Sequence, residues 1–308
     1  MTLRIVEFLP FETPRWCSIF NSVEYFLLHK SSNSIYLCFY LENNIVGACH
    51  FSEKEKGIWR SPIIGTFGSI DFNEKLDLTM KNEAIILLID YFKNKNANQI
   101  ILLSAPFSHN LHNSSTLFNI LLNNGFSILN QDINHSINVD GLSLIEKMKR
   151  NNKKRIKKCD REGIVFEQVH SEDSIKEVYK IIKSNRDYKG FSISMSFEQI
   201  IEMYNRFPGE MYFFQSTFGY KGIAASICIK MNPSILYVFY WGDIPGYEQL
   251  SPVVHIANGI YEFAKKNNFE IIDAGTSSIN GIPNYGVATF KENLGFLVSQ
   301  KLTYSHSF

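Results

Sequence analysis

Toward the C-terminus the residue types and spacing could do chemistry on a carbonyl or a phosphate. Asp273 closes the apolar pair Ile271-Ile272 and is followed by Ala274-Gly275; Tyr285-Gly286, Phe290-Lys291 and Leu294-Gly295-Phe296 come next. A lysine supplies a positive charge able to contact a carbonyl oxygen or a phosphate. On spacing alone Lys291 reads first as an exposed helix lysine, since its neighbours in Lys291-Glu292-Asn293 are polar. Asp273 ends a short buried strand, the sheet edge where ligands of α/β proteins collect. It can orient a lysine, take a proton, or serve as a turn or N-cap aspartate. Tyr285 either packs or presents its hydroxyl, and Gly275 and Gly286 answer a backbone need.

A second group precedes it. Ser251-Pro252 is a strong helix start, with Ser251 as N-cap and Pro252 at the first helical position. A helix start offers free N–H groups to an anion, which makes Gly242, Gly246 and Ser251 the candidate anion cradle. The loop Gly242-Asp243-Ile244-Pro245-Gly246-Tyr247-Glu248 also carries two acids that repel phosphate. Tyr240 and Trp241 end the strand before this loop and can line a substrate channel, although most aromatics in such a strand are core. Arg186 and Lys189 fall in the stretch Ser184–Gly190, read as a loop, where two cations suit a phosphorylated or carboxylated ligand.

These residues need elements to hold them, and the chain supplies one order of elements twice. In the first half, strands Ile35–Leu41 and Ile45–Phe51 flank a tight turn. A third strand near Gly57–Ile70, a helix from Leu78 to Lys95, a strand Gln99–Ser104, a helix at about Ser115–Asn124 and a strand from Phe126 follow. In the second half come strands Met211–Thr217, Gly222–Met231 and Ile235–Trp241. A helix Pro252–Lys266, a strand Glu270–Ala274, a helix Tyr285–Asn293 and a strand from Phe296 complete the copy. Asn124-Gly125-Phe126 and Leu294-Gly295-Phe296 are separated by nearly the spacing that relates Ile100 to Ile271, which points to duplication. In each half the third strand, helix and fourth strand predict a parallel βαβ unit in a mostly antiparallel sheet. The expected fold class is α+β, with lobes at 1–140 and 141–308.

The 308 residues are 45% apolar, enough for a sizeable core, and net charge is +1. Charge is unevenly placed: Lys147–Arg161 carries nine basic residues and one acid. Within Leu142–Gly163 the apolar or neutral positions Ile145, Met148, Asn152, Ile156 and Cys159 recur at helical spacing, so 142–163 reads as a basic helix connecting the lobes. Five scattered cysteines suit a reducing compartment. No apolar run approaches the ~18 residues of a membrane span, and a cytoplasmic location is expected. His109-x-x-His112 lacks the acidic and histidine company of a metal site. No P-loop, Gly-x-Ser-x-Gly or Gly-x-Gly-x-x-Gly is present.

The pattern Asp-x-Gly … Phe-Lys-x-x-x-Gly-Phe (Asp273, Gly275, Phe290, Lys291, Gly295, Phe296) resembles the closing segment of the Fem-type peptidoglycan aminoacyltransferases. It resembles equally the related two-lobed acyltransferases of the GNAT superfamily. Lys153–Lys158 followed by Gly163 looks like that family's basic helix, and Gly222-Ile223-Ala224-Ala225 like its second-strand signature. The resemblance implies two tandem GNAT-like lobes and acyl transfer to an amine on a small-molecule or cell-envelope precursor. It implies acyl-CoA as co-substrate, with no permanently bound cofactor, or in the Fem branch an aminoacyl-tRNA donor. It places Phe290 and Lys291 at substrate and oxyanion; by their own chemistry Asp273 can assist there, and Tyr285 can position the acceptor or simply pack. One departure stands out: the loop 242–250 lacks the Arg/Gln-x-x-Gly-x-Gly/Ala stretch that cradles the CoA pyrophosphate in GNAT enzymes. In the first half, Phe118-Asn119 falls near the place of Phe290-Lys291, without a lysine. Outside enzymes, the alternative is a non-catalytic binding protein that keeps the double fold.

Overall fold

A computed structural model describes residues 2–308. By internal contacts the chain divides into two compact units. Unit 1 holds residues up to Ile133 together with Ser278–Pro283 and Ser299–Phe308; unit 2 holds Asn134–Ser277 and Asn284–Val298. The class is mixed α/β, as expected from the repeated order of strands and helices.

Unit 1 opens with β1 (Leu3–Glu7) and α1 (Val23–His29), neither of which the sequence pattern announces. There follow β2 (Ser34–Leu41), β3 (Asn44–Glu55), β4 (Ile58–Ser61), β5 (Asp71–Phe72), α2 (Leu78–Asn94), β6 (Gln99–Leu103), α3 (Leu111–Asn123) and β7 (Ser127–Asn138). The turn between β2 and β3 has Glu42 at φ +55°. The third strand is far shorter than the expected 57–70: it stops at Ser61 because Pro62 has no N–H to give the ladder. β4 and β6 are parallel with α2 as their crossover, Ile58 facing Gln99 and Ser61 facing Leu102. Phe39, Phe51, Leu88, Phe92 and Ile100 fill the core over this sheet.

Unit 2 contains α4 (Leu144–Lys147), α5 (Arg150–Arg161), β8 (Val165–Val169), α6 (Glu172–Tyr188), α7 (Phe197–Arg206), β9 (Met211–Phe218), β10 (Lys221–Asn232) and β11 (Ile235–Asp243). It continues with α8 (Pro252–Lys266) and β12 (Ile271–Thr276); the short hairpin β13 (Ser278–Ile279) and β14 (Ile282–Pro283) belongs to unit 1. Then come α9 (Tyr285–Asn293) and β15 (Leu297–Ser307). The sheet of unit 2 runs β12-β11-β10-β9-β8, with residues 134–138 of β7 beside β12. β11 and β12 are parallel, with α8 as crossover. From residue 299 onward β15 lies in unit 1, where it pairs antiparallel with β6 (Thr303 to Leu103, Ser307 to Gln99).

Two expectations need correction. The basic segment 142–163 is two helices, not one. A Ser143–Glu146 capping box opens α4, and Met148 and Lys149 are extended. The chain breaks there because Met148 enters the core while the Lys149 N–H goes to the Asn293 carbonyl (3.0 Å) instead of an intrahelical partner. The neutral stripe behaves as its spacing requires: Met148, Asn152, Ile156 and Cys159 are buried. Ser184–Gly190 is not a loop but the end of α6: the helix runs to Tyr188, Lys189 is its C-cap, and Gly190 (φ +73°) turns the chain away.

Candidate functional site

The open end of the parallel pair β11–β12 organises the site. Against its other neighbour, β7, β12 carries one extra residue between Asp273 and Thr276, a register shift around Gly275 (φ +74°). Such a bulge re-aims backbone groups out of the ladder. Asp273 is fully buried and its Oδ1 accepts from the Gly275 N–H and from Asn134 Nδ2, both at 2.8 Å. The carbonyls of Gly275 and Thr276, thus fixed, each accept at 2.9 Å from Lys291 Nζ. α9 delivers this lysine from an Asn284 N-cap, with Lys291 two turns along on the inner face.

Lys291 is only 2% exposed, and burial pulls its pKa down to about 8, with Asp273 opposing the shift. Behind it lies His135, whose Nδ1 is 3.0 Å from Ser277 Oγ. Burial, aided by the charge on Lys291, holds that imidazole neutral with a pKa of about 4. A buried cation tethered by two carbonyls keeps one N–H of its three for a ligand.

That lysine forms one wall of a cleft of about 410 Å³. Trp241, Gly242 and Asp243 line it from the end of β11, Ser251, Val253 and Val254 from the start of α8, and Gly286, Val287 and Phe290 from α9. Arg155, Lys189 and Glu248 complete the lining. Trp241 and Phe290 meet edge to face with ring centroids 6.0 Å apart. Of the residues singled out in the sequence, the cleft therefore gathers Lys291, Phe290, Trp241, Gly242, Ser251 and Lys189. Asp273 stands behind the lysine without lining the cleft.

The other candidates lie elsewhere. Tyr285 is 77% exposed and does not line the cleft. Tyr240 is buried, its hydroxyl paired with Ser194 Oγ and its ring 5.5 Å from the guanidinium carbon of Arg186. Arg186 does not line the cleft. Gly246 sits outside the lining, and its N–H is taken by the Glu248 carboxylate (3.0 Å). The expected N-cap at Ser251 does not form. Ser251 has left-handed backbone (φ +50°), and its Oγ turns back to the Glu248 carbonyl. Pro252 does start α8. The anion cradle read from Gly246 and Ser251 is therefore occupied by the loop's own groups.

Sequence reasoning did not single out Arg155 or Asp243 as site residues. Arg155 is one of nine basic residues in its run and nothing in the pattern distinguishes it. Asp243 was visible as an acid in the loop, and only the fold turns it into the cleft. Its Oδ1 accepts from Asn185 Nδ2 at 2.8 Å, and the same nitrogen holds the Asp243 carbonyl at 2.8 Å. Among the described residues no three histidine, cysteine or acidic side chains lie together as a metal would require, and no helix is long and apolar enough to cross a membrane.

No family model and no curated protein sequence matches the chain. Solved structures do match in fold. One is a crystal structure of FemX (TM-score 0.73, 11% identity, 94% of this chain and 92% of that one). Another is L-PGS from Bacillus licheniformis (0.63, 11%, 92% and 86%). A third is a tandem GNAT protein from the clavulanic acid biosynthesis pathway (0.50, 8%, 92% and 86%). The chain has a two-lobed, GNAT-like and Fem-like fold. At such identities the likeness speaks of the fold alone.

Proposed function

We propose that the protein is an N-acyltransferase that moves an acyl group from an activated donor to an amine in the cleft of unit 2. The observation that carries the reading is the buried Lys291, held by the Gly275 and Thr276 carbonyls at the floor of a cleft at the end of a parallel strand pair. Acyl transfer to an amine needs a neutral nucleophile, an oriented carbonyl and support for the tetrahedral oxyanion. Lys291 supplies the third from its remaining N–H. Asp273 acts as a positioning residue: by fixing Gly275 it fixes the carbonyls that aim the lysine. Trp241 and Phe290 give the acyl group an apolar wall, and Tyr285 is left to contact an acceptor from the exposed start of α9.

The donor is a thioester such as acyl-CoA in the first reading, and an aminoacyl-tRNA in the second. A specific feature favours the second: Glu248 occupies the Gly246 N–H where a CoA pyrophosphate would be cradled, while Arg155 of the basic α5 borders the cleft. The acceptor is the amine of a small-molecule or cell-envelope precursor, and the reaction belongs in the cytoplasm, where either donor is made. The resemblance of residues 273–296 to the Fem-type closing segment prompts the envelope assignment. The test is a donor panel with and without amine acceptors, reading thiol release from acyl-CoAs and amino-acid loss from charged tRNA. Turnover with either donor that depends on the amine is expected. Silence with both, together with no donor binding by calorimetry, overturns the reading and leaves a non-catalytic binding protein.

A further inference from the structure

We infer that Asp243 is the cleft's receptor for a primary ammonium group, so that the site selects a substrate carrying a free amine near the reacting carbonyl. The inference rests on the acyl-transfer reading only for the reaction in which that substrate takes part.

The cleft is lined by charges of both signs, but only one carboxylate is free to meet a ligand. Glu248 is turned back on its own loop, where both carboxylate oxygens take the Gly246 N–H. Asp243 is half-buried at the end of β11 and has no cation within 4 Å among the described residues. Its neighbour Lys189 acts on it only at longer range, and burial raises its pKa more than that lysine lowers it. A desolvated carboxylate without an ion-pair partner is costly unless a ligand or water compensates it.

Its orientation is built, not incidental. Asn185, buried on α6, clamps both the main-chain carbonyl and the Oδ1 of Asp243 with one nitrogen. Gly242 makes the clamp possible: a Cβ there would stand 2.7 Å from Asn185 Cβ and Cγ. The same cleft therefore presents a lysine able to receive a carbonyl oxygen and an anchored carboxylate able to receive an ammonium. An amino acid esterified through its carboxyl offers that pair of groups, and so does a carbonyl donor meeting a separate amine acceptor. An unsubstituted fatty or acetyl group offers only the first. Charge-assisted hydrogen bonds of this kind are about twice as strong as neutral ones.

The experiment uses the full chain and four probes followed by calorimetry. They are 3′-alanylamino-3′-deoxyadenosine, its N-acetyl form, its propionyl analogue lacking the amine, and cadaverine. If the ammonium belongs to the donor, wild type binds the alanyl compound about ten-fold more tightly than the propionyl and N-acetyl ones, and Asp243→Asn erases that preference while leaving propionyl binding unchanged. If it belongs to the acceptor, cadaverine loses about ten-fold in Asp243→Asn and the three nucleosides bind alike. Equal binding of all probes to both proteins, or no binding of any, overturns the inference. The wild-type comparison alone decides the donor arm should the variant fold poorly. Discrimination among probes without any turnover sinks the transfer reading and keeps the ammonium site; turnover without discrimination does the reverse.

Discussion

Lys291 is a charge held where water cannot help it. Two backbone carbonyls take two of its N–H groups, and Asp273 supports its charge against burial. Replacing it by methionine keeps much of the volume and removes the donor, so turnover should fall by about 10²–10³, as for loss of one oxyanion donor. Steady-state rates with the preferred donor check this; a loss under ten-fold removes the lysine from the reaction. The charged form is the useful one. Since its pKa is lowered to about 8, turnover should decline as pH rises through about 8. Asp273 raises that pKa, so Asp273→Asn should move the alkaline limb of the pH–rate profile to lower pH. A role confined to folding would leave the limb where it was. Asp273 and Lys291 were legible in the sequence as a motif, whereas the path joining them through Gly275 was not, because it depends on one residue of strand register.

At the level of elements, the sequence placed most helices and strands and misjudged where several end. α8 (Pro252–Lys266) and α9 (Tyr285–Asn293) span the residues their apolar periods mark out, although Ser251 does not cap the first of them. Breaks set by long-range partners escaped it: Lys149 leaves the helical ladder for Asn293, and β8 is a short strand whose pattern means little until β9 pairs with it. The face of α8 shows how tightly such partners fit. Gly259 lies under the Phe166 ring of β8, so close that a Cβ would sit 2.1 Å from the ring. Gly259→Ala should therefore destabilise unit 2 by roughly 2 kcal/mol, the cost of overpacking, despite alanine's better helix propensity. Urea unfolding of the variant tests this; an unchanged or raised midpoint would show that Phe166 swings aside freely.

For the whole molecule, the order of the chain and the order of the sheets differ. Residues 299–308 are last in sequence, yet β15 pairs with β6, and Leu302 and Tyr304 are buried in the core of unit 1. Removing 299–308 should therefore unfold unit 1 selectively, with roughly 4 kcal/mol lost from those two side chains alone. Hydrogen exchange read over residues 34–103 is the measurement, and full protection there after truncation would contradict it. By the same logic a fragment ending at residue 140 should not fold stably by itself.

The repeated order of elements, the parallel βαβ units, the basic segment and the Phe-Lys motif were all written locally, in periodicity and spacing, and were legible in the sequence alone. Tertiary structure decided what depends on contacts between distant residues. It put Asp243 and Arg155 into the cleft beside Lys291 and left Tyr240 and Arg186 out of it. It also filled the expected anion cradle with Glu248 and joined the last strand to β6. The division has a physical cause: helix and strand formation answer to neighbours a few residues away, whereas a half-buried charge takes its meaning from what the fold brings against it.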